Sequence, residues 1–292
     1  FQYRQPYGTI FSGGLGGVES STKPIRRAEV RVLGSGGGVK QCAETDGSGN
    51  FSFQLPQNSG SYTIYINSRA SNSYANATVF NRPEQNQFYS LTKTVNTSSS
   101  SNVGTMTAPA TDSVIAGAFN ILDQIVDANA YLKANVGSGT CGGSGCKETD
   151  VAAKVSVYWE KGFNPGSYFG SGGLSFYLPG YSRLFILGGV NGDVDTSDTD
   201  HFDNSIILHE YGHFLEDAVF QSDSPGGSHN GNAIIDPRLA WSEGWGNFFQ
   251  AAVRDDATYI DTIGNSDGGS GNTSFLFYVD IEESASPSRD ES

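Results

Sequence analysis

His209-Glu210-Tyr211-Gly212-His213, reached through Asp203-Asn204-Ser205-Ile206-Ile207-Leu208, sets two imidazoles four residues apart with a carboxylate beside the first. Asp203 or Ser205 can cap a helix that runs from there to about Phe220. Residues four apart on a helix point the same way, so both rings face one point in space. Two neutral imidazoles so placed suit Zn2+, which takes nitrogen ligands at about 2.0–2.1 Å. Glu210 sits roughly 100° around the helix from His209, close to such a metal without being forced to bind it. A base for an activated water belongs there. The chain has four histidines, all between positions 201 and 229, and two of them fit this pattern. The competing reading is a surface helix carrying two solvated histidines.

The metal needs a third protein ligand from elsewhere. A metzincin continuation requires Gly at 216 and His at 219, where this chain has Glu216 and Val219. Further on, Asp236-Pro237 starts a second helix well, with Asp as cap and Pro in the first turn. That helix carries Trp241-Ser242-Glu243-Gly244-Trp245-Gly246-Asn247-Phe248-Phe249. Glu243 follows His213 at a distance sufficient for one connection and a return helix. Asn247, one turn later on the same face, can hydrogen-bond a ligating histidine.

Together, His209-Glu210-Tyr211-Gly212-His213 and Glu243-Gly244-Trp245-Gly246-Asn247-Phe248-Phe249 resemble the gluzincin metallopeptidases, in wording closest to the fungalysin and thermolysin-type branches. The resemblance is close over Asp200 to Val253 and loose elsewhere in that half of the chain. It implies zinc at His209, His213 and Glu243, Glu210 as general base, and peptide-bond hydrolysis. Two departures stand out. Asn247 replaces the family's Asp, and no His follows Glu243 to stabilise an oxyanion. Tyr259, Tyr278 and His229 are the candidates for that role. The chain ends at Ser292 without the helical lobe such enzymes use to close the cleft, so a C-terminal part is expected to have been removed. Secreted endopeptidase is the leading expectation. An exopeptidase or glycoprotein-directed peptidase on the same zinc site, and a metal-containing binding protein without activity, are the alternatives.

Other residues around the motif admit more than one reading. Glu216 would have to bend back along its own helix to bind the metal, so a supporting or solvated role is expected. Asp217 is a partner for its own turn or for solvent. Asp193, Asp195, Asp198, Asp200 and Asp203 crowd the approach to the first helix. Such density either binds a hard cation through oxygen, with Asp193, Asp195, Asp198 and Asp200 as candidates for Ca2+, or stays solvated. His201 has no partner at ligand spacing and reads as structural. Gly212 costs roughly 1 kcal/mol in a helix relative to Ala, which close packing beneath the metal would justify. Trp241 and Trp245 read as core residues of the second helix.

The first part of the chain, residues 1–107, reads as all-β. Ala28–Leu33, Phe51–Leu55 and Tyr62–Ile66 each alternate apolar and polar residues, as half-buried strands do. Asp46-Gly47-Ser48-Gly49-Asn50 is turn-forming. It does not fit a calcium loop, having Phe51 where Gly is needed and Gln57 where Glu is needed. Short strands at this spacing suggest a β-sandwich, and residues 28–64 resemble the transthyretin-like, carboxypeptidase-regulatory sandwich, an accessory domain without chemistry. The polar run from Asn96 to Asn102, followed by Thr107-Ala108-Pro109-Ala110, reads as a linker. A helix is expected from about Thr111 to Asn135, capped by Thr111 or Asp112. Ser182–Leu187 reads as a strand, and its edge as the place where an extended peptide could add. The expected fold is therefore α+β. An N-terminal β-sandwich over 1–107 precedes a thermolysin-like zincin domain over 108–292 with an HExxH helix and a second Glu-bearing helix.

Composition narrows the partners. Lys plus Arg number 17 against 31 Asp plus Glu, a net charge of −14, so nucleic acid and anionic membrane surfaces are poor partners. No apolar run approaches the ~18 residues that suggest a membrane span. The acidic, Gly-rich, Lys-poor composition fits an exported protein. The chain begins at Phe1 with no signal-peptide pattern, as a mature form would. Cys141 and Cys146 bracket a Gly-rich loop and are candidates for a small disulfide, leaving Cys42 as a buried thiol. Oligomeric state is not legible.

Overall fold

The computed structural model describes residues 1–9, 12–57, 60–97, 102–111, 114–135, 151–169, 173–189, 194–227, 229, 234–264 and 275–283. In chain order come β1 (Pro6–Thr9), β2 (Ser12–Leu15), β3 (Glu29–Gly34), β4 (Val39–Glu44), β5 (Ser61–Asn67), β6 (Arg69–Ser71), β7 (Asn76–Phe80) and β8 (Ser90–Asn96). After these come α1 (Ala116–Asn135), β9 (Val155–Tyr158), α2 (Gly166–Phe169), β10 (Phe176–Leu178), β11 (Arg183–Phe185), α3 (Asn204–Ala218), α4 (Pro237–Arg254), β12 (Thr258–Thr262) and β13 (Phe275–Asp280). The protein is mixed α+β. A four-stranded antiparallel sheet runs β4-β3-β5-β8, and a five-stranded mixed sheet runs β10-β11-β9-β7-β6. Two-stranded ribbons β1-β2 and β12-β13 complete it.

Alternation works where one face of a strand is covered. In β3 Val30 and Val32 are buried, and in β5 Tyr62, Ile64 and Ile66 are, with the residues between them half-exposed. The turn at Asp46 is built as its composition implies: the Asp46 carboxylate accepts from the backbone N–H of Ser48 and Asn50, both at 2.8 Å, and Gly49 takes φ +78°. Phe51–Leu55 alternates in burial but joins no ladder. Its side chains pack on the core while its backbone lacks a strand partner.

The two expected domains are not separate sheets. β7, from the first part of the chain, pairs in parallel with β9, from the second. Ala77, Thr78 and Val79 are all buried, because a central strand of such a sheet is covered on both faces and shows no alternation. That is why its sequence carried no strand signal. Residues 29–96 accordingly supply one sheet and part of another, not two sheets facing each other. The expected linker is also docked in part: Ala108 and Ala110 are buried, and the backbone N–H of Gln2 donates to the Ala108 carbonyl at 2.9 Å. Ser98–Ser101 and Asp112 lie outside the described residues.

α1 lies in the centre. Every residue from Ala116 to Val126 is buried, most of them small or apolar. Its buried amides brace α3: Asn120 donates to the His201 carbonyl at 2.8 Å and to Asn204 Oδ1 at 2.9 Å, and Asn129 donates to the Tyr211 hydroxyl at 2.9 Å. Arg26 ties the N-terminal part to the same helix, with Asp123 at 2.6 Å and Asp127 at 2.8 Å. Cys42, expected to be buried, is exposed on edge strand β4. Cys141 and Cys146 lie outside the described residues.

Arg26→Ala would leave the Asp123 carboxylate buried without its cation. It should lower the unfolding free energy by about 3 kcal/mol, read from the urea midpoint at unchanged m-value.

Candidate metal centre

α3 starts where expected, but Asp203 caps it in position only. Its carboxylate accepts from the backbone N–H of Thr262 at 2.6 Å, and makes no side-chain cap bond to the helix. α4 starts as its sequence implies: Asp236 Oδ1 accepts from the Arg238 N–H at 2.9 Å, and Pro237 occupies the first turn. The two helices cross with glycine against glycine. A Cβ on Gly212 would lie 3.3 Å from Gly246 Cα, and a Cβ on Gly246 would lie 2.8 Å from His209 Nδ1 and Cε1. The His209 ring thus lies directly over Gly246, where no side chain fits. Trp245 fastens the crossing, its Nε1–H donating to the Gly212 carbonyl at 2.9 Å.

This crossing brings three donors together. His209 Nε2 lies 3.0 Å from His213 Nε2 and 3.2 Å from Glu243 Oε2, and His213 Nε2 lies 3.5 Å from Glu243 Oε2. Lone pairs approach this closely only with a proton or a cation among them. A tetrahedral zinc with bonds near 2.1 Å has ligand–ligand edges of about 3.4 Å, so the triangle matches. Among the described residues, His209, His213 and Glu243 form a group able to hold a metal ion.

The far side of each imidazole is also engaged. His209 Nδ1–H donates to Asn247 Oδ1 at 2.9 Å, leaving the Nε2 lone pair towards the other donors. Behind His213 stands a relay that sequence reading missed. The Ser242 hydroxyl donates its one hydrogen to Glu216 Oε2 at 2.5 Å and can accept from His213 Nδ1–H at 3.3 Å. Glu216 is buried and also accepts from Ser222 at 2.7 Å, so it supports the site without entering it. Asp217 accepts from the Tyr177 hydroxyl at 2.6 Å and the Gly180 N–H at 2.8 Å.

Electrostatics favour positive charge at the centre. Burial is the largest influence on His213 and opposes its charged form, yet hydrogen bonds with Glu216 and Glu243 and the charges of Glu243 and Glu210 push it up to about 10. Burial likewise tends to raise Glu243, but bonding with His209, His213 and His229 holds it well below the usual carboxylate range. A divalent cation supplies the same compensation as a proton on His213.

The oxyanion candidates separate. His229 Nε2 lies 3.4 Å from Glu243 Oε1, the oxygen turned away from the imidazole pair. The Tyr259 ring packs edge-on against His209, 5.6 Å between centroids. Burial first, then the charges of Asp261, Glu210, Asp200 and Glu243, raise its hydroxyl well above 10, so it remains a donor. Tyr278 pairs with Ile260, not with Tyr259, which puts it on the opposite face of the ribbon, against Phe275. It does not reach the centre.

Among the acidic residues before α3, Asp195 pairs with Arg4 at 2.6 Å, while Asp198 and Asp200 meet Asp261 of β12. Asp193 lies outside the described residues. His201 is buried against Trp159 and Phe202, as a structural residue would be. Trp241 is 62% exposed and so not a core residue, and Trp245 is only partly buried.

Residues 139–273 match the Mycolysin C-terminal domain family. The mycolysin match covers a little under half of the chain, including α3, α4 and β12, and it places that region in the context of zinc metallopeptidases. No curated protein matches the chain.

Gly246→Ala should displace the His209 ring. Because the added methyl falls on one imidazole and not on the core, zinc affinity should drop about 10–100-fold while the melting temperature of the metal-free protein changes little. Competition with a chromogenic chelator measures the first and calorimetry the second.

Proposed function

We propose that the chain is a secreted zinc-dependent metallopeptidase, acting as an endopeptidase, with zinc held by His209, His213 and Glu243. The observation that carries this reading is the triangle of 3.0, 3.2 and 3.5 Å between three donor atoms from two helices. The mycolysin match to the same region supports it. Export agrees with the acidic, Lys-poor composition, and no helix among the described residues is long and apolar enough to cross a membrane.

Zinc bound there supplies Lewis acidity, polarising a carbonyl and acidifying a water. The chain does the rest. Asn247 and the Ser242–Glu216 pair hold the imidazoles in the tautomer that presents Nε2. Glu210 is 9% exposed, on the helix turn beside His209. It is near enough to His213 and Tyr259 for its charge to act on both. Its carboxylate takes the proton of the attacking water and passes it to the leaving amine. Tyr259, held as a neutral phenol, donates to the oxygen on which charge develops.

Substrate cannot add to Arg183–Phe185, since β11 is paired on both sides, with β10 and β9. Of the two terminal strands of that sheet among the described residues, β10 and β6, β10 packs against α3 through Tyr177 on Phe214. An extended peptide would lie along β10.

Casein cleavage by wild type and Glu210→Gln, with and without chelator, tests the reading. Glu210→Gln should retain zinc and lose activity by about 10²–10⁴-fold, and chelator should abolish wild-type cleavage. Equal cleavage in all four conditions would remove the proposal. Tyr259→Phe should lower kcat about 10²-fold with KM nearly unchanged, measured on a fluorogenic peptide.

A further inference from the structure

Asp198, Asp200 and Asp261 come from a loop and a strand far apart in sequence, yet each offers a carboxylate oxygen within 4.8 Å of the others. Asp200 is 3% exposed and Asp261 7%. One oxygen of each of the three, Oδ1, is enclosed and has no hydrogen-bond partner among the described residues. More than nine in ten buried polar groups are partnered, so three clustered carboxylates that each keep one enclosed oxygen unpartnered among the described residues need an occupant. The charges acting most strongly on Asp200 are Asp261, Asp198 and Asp203, all carboxylates. Asp195, earlier in the same loop, is engaged by Arg4 at 2.6 Å.

We infer that Asp198, Asp200 and Asp261 form a second, structural cation site, selective for calcium, that fastens the loop before α3 to β12. The donor set is oxygen only, which favours a hard cation over zinc. Separations within 4.8 Å suit two calcium–oxygen bonds of about 2.3–2.6 Å meeting at one ion, and calcium's flexible coordination accepts a set of side-chain carboxylates more readily than the strict octahedron that magnesium demands. Burial first, then mutual repulsion, raises the carboxyls, Asp198 to about 6 and Asp200 and Asp261 well above the usual range. A proton shared between Asp198 and Asp200 is therefore the competing arrangement. The neighbourhood is otherwise built as a clamp. Asp198 bridges Ile263 across the chain, Ser175 donates to Asp200, and Thr262 donates to Asp203. Asp261 lies two residues after Tyr259 on the same strand, so an ion there also fixes the strand that carries Tyr259 against His209.

The test uses the zinc-loaded full chain, dialysed free of calcium and titrated with calcium chloride up to roughly 10 mM, above the weakest extracellular affinities. Calorimetry should show one calcium per chain, and the melting temperature should rise by about 5–10 °C at saturation. Magnesium should do less. Asp261→Asn should lose the shift while Asp195→Asn, outside the cluster, keeps it. No calcium heat and an unchanged melting temperature in the wild type would establish the shared proton and overturn the site, as would an undiminished shift in Asp261→Asn. If Asp261→Asn fails to fold, the wild-type titration and the Asp195→Asn control decide. Binding and melting are independent of peptide hydrolysis, so failure of the catalytic reading leaves this result interpretable.

Discussion

Two glycines, one on each of two helices, set the distance on which the site depends. With Gly212 facing Gly246, α3 and α4 approach until the His209 ring rests on the α4 backbone. At that separation Glu243 reaches both imidazoles, and Asn247, one turn further along α4, reaches the other side of His209. A methyl on Gly246 would fall 2.8 Å from the His209 ring and one on Gly212 would press on Gly246 Cα at 3.3 Å, so this close approach of ring and helix needs glycine at both positions. The helix-destabilising cost of glycine, about 1 kcal/mol each, is thereby offset by a geometry that larger residues cannot reach.

Charge is organised around this crossing. His213 and Glu243 shift in opposite directions because they compensate each other in a buried site. The supports are hydrogen-bonded in turn: Ser242 to Glu216, Glu216 to Ser222. α1 holds the assembly from beneath through Asn120 and Asn129, whose buried amides fix the start of α3 and its Tyr211. Since β7 completes the sheet begun by β9 and β11, the N-terminal part of the chain contributes to the platform under the site as well as standing beside it.

The legible parts were those governed by local rules. Helical spacing placed His209 and His213 on one face, the Asp236-Pro237 start was built as read, and alternation marked β3 and β5. The gluzincin resemblance singled out Glu243 and Asn247, which spacing alone allowed without requiring. What escaped notice depended on partners distant in sequence. β7 shows no alternation because it is buried on both faces. Gly246 and Ser242 have meaning only across the crossing, although a glycine one turn from Glu243 on the same helix was an available signal. Asp261 joins Asp198 and Asp200 through tertiary contact, with no motif to announce it. Trp241 differs from expectation because an aromatic residue on an amphipathic helix need not face inward, and the inward face of α4 is given to Glu243, Gly246 and Phe249.

The most direct test of the centre is zinc K-edge absorption spectroscopy on the metal-replete chain. A single zinc with two imidazole nitrogens and carboxylate oxygen at about 2.0–2.2 Å, losing the oxygen contribution in Glu243→Ala, is the expected result. A zinc environment unchanged by Glu243→Ala, or no stoichiometric zinc at all, would contradict it.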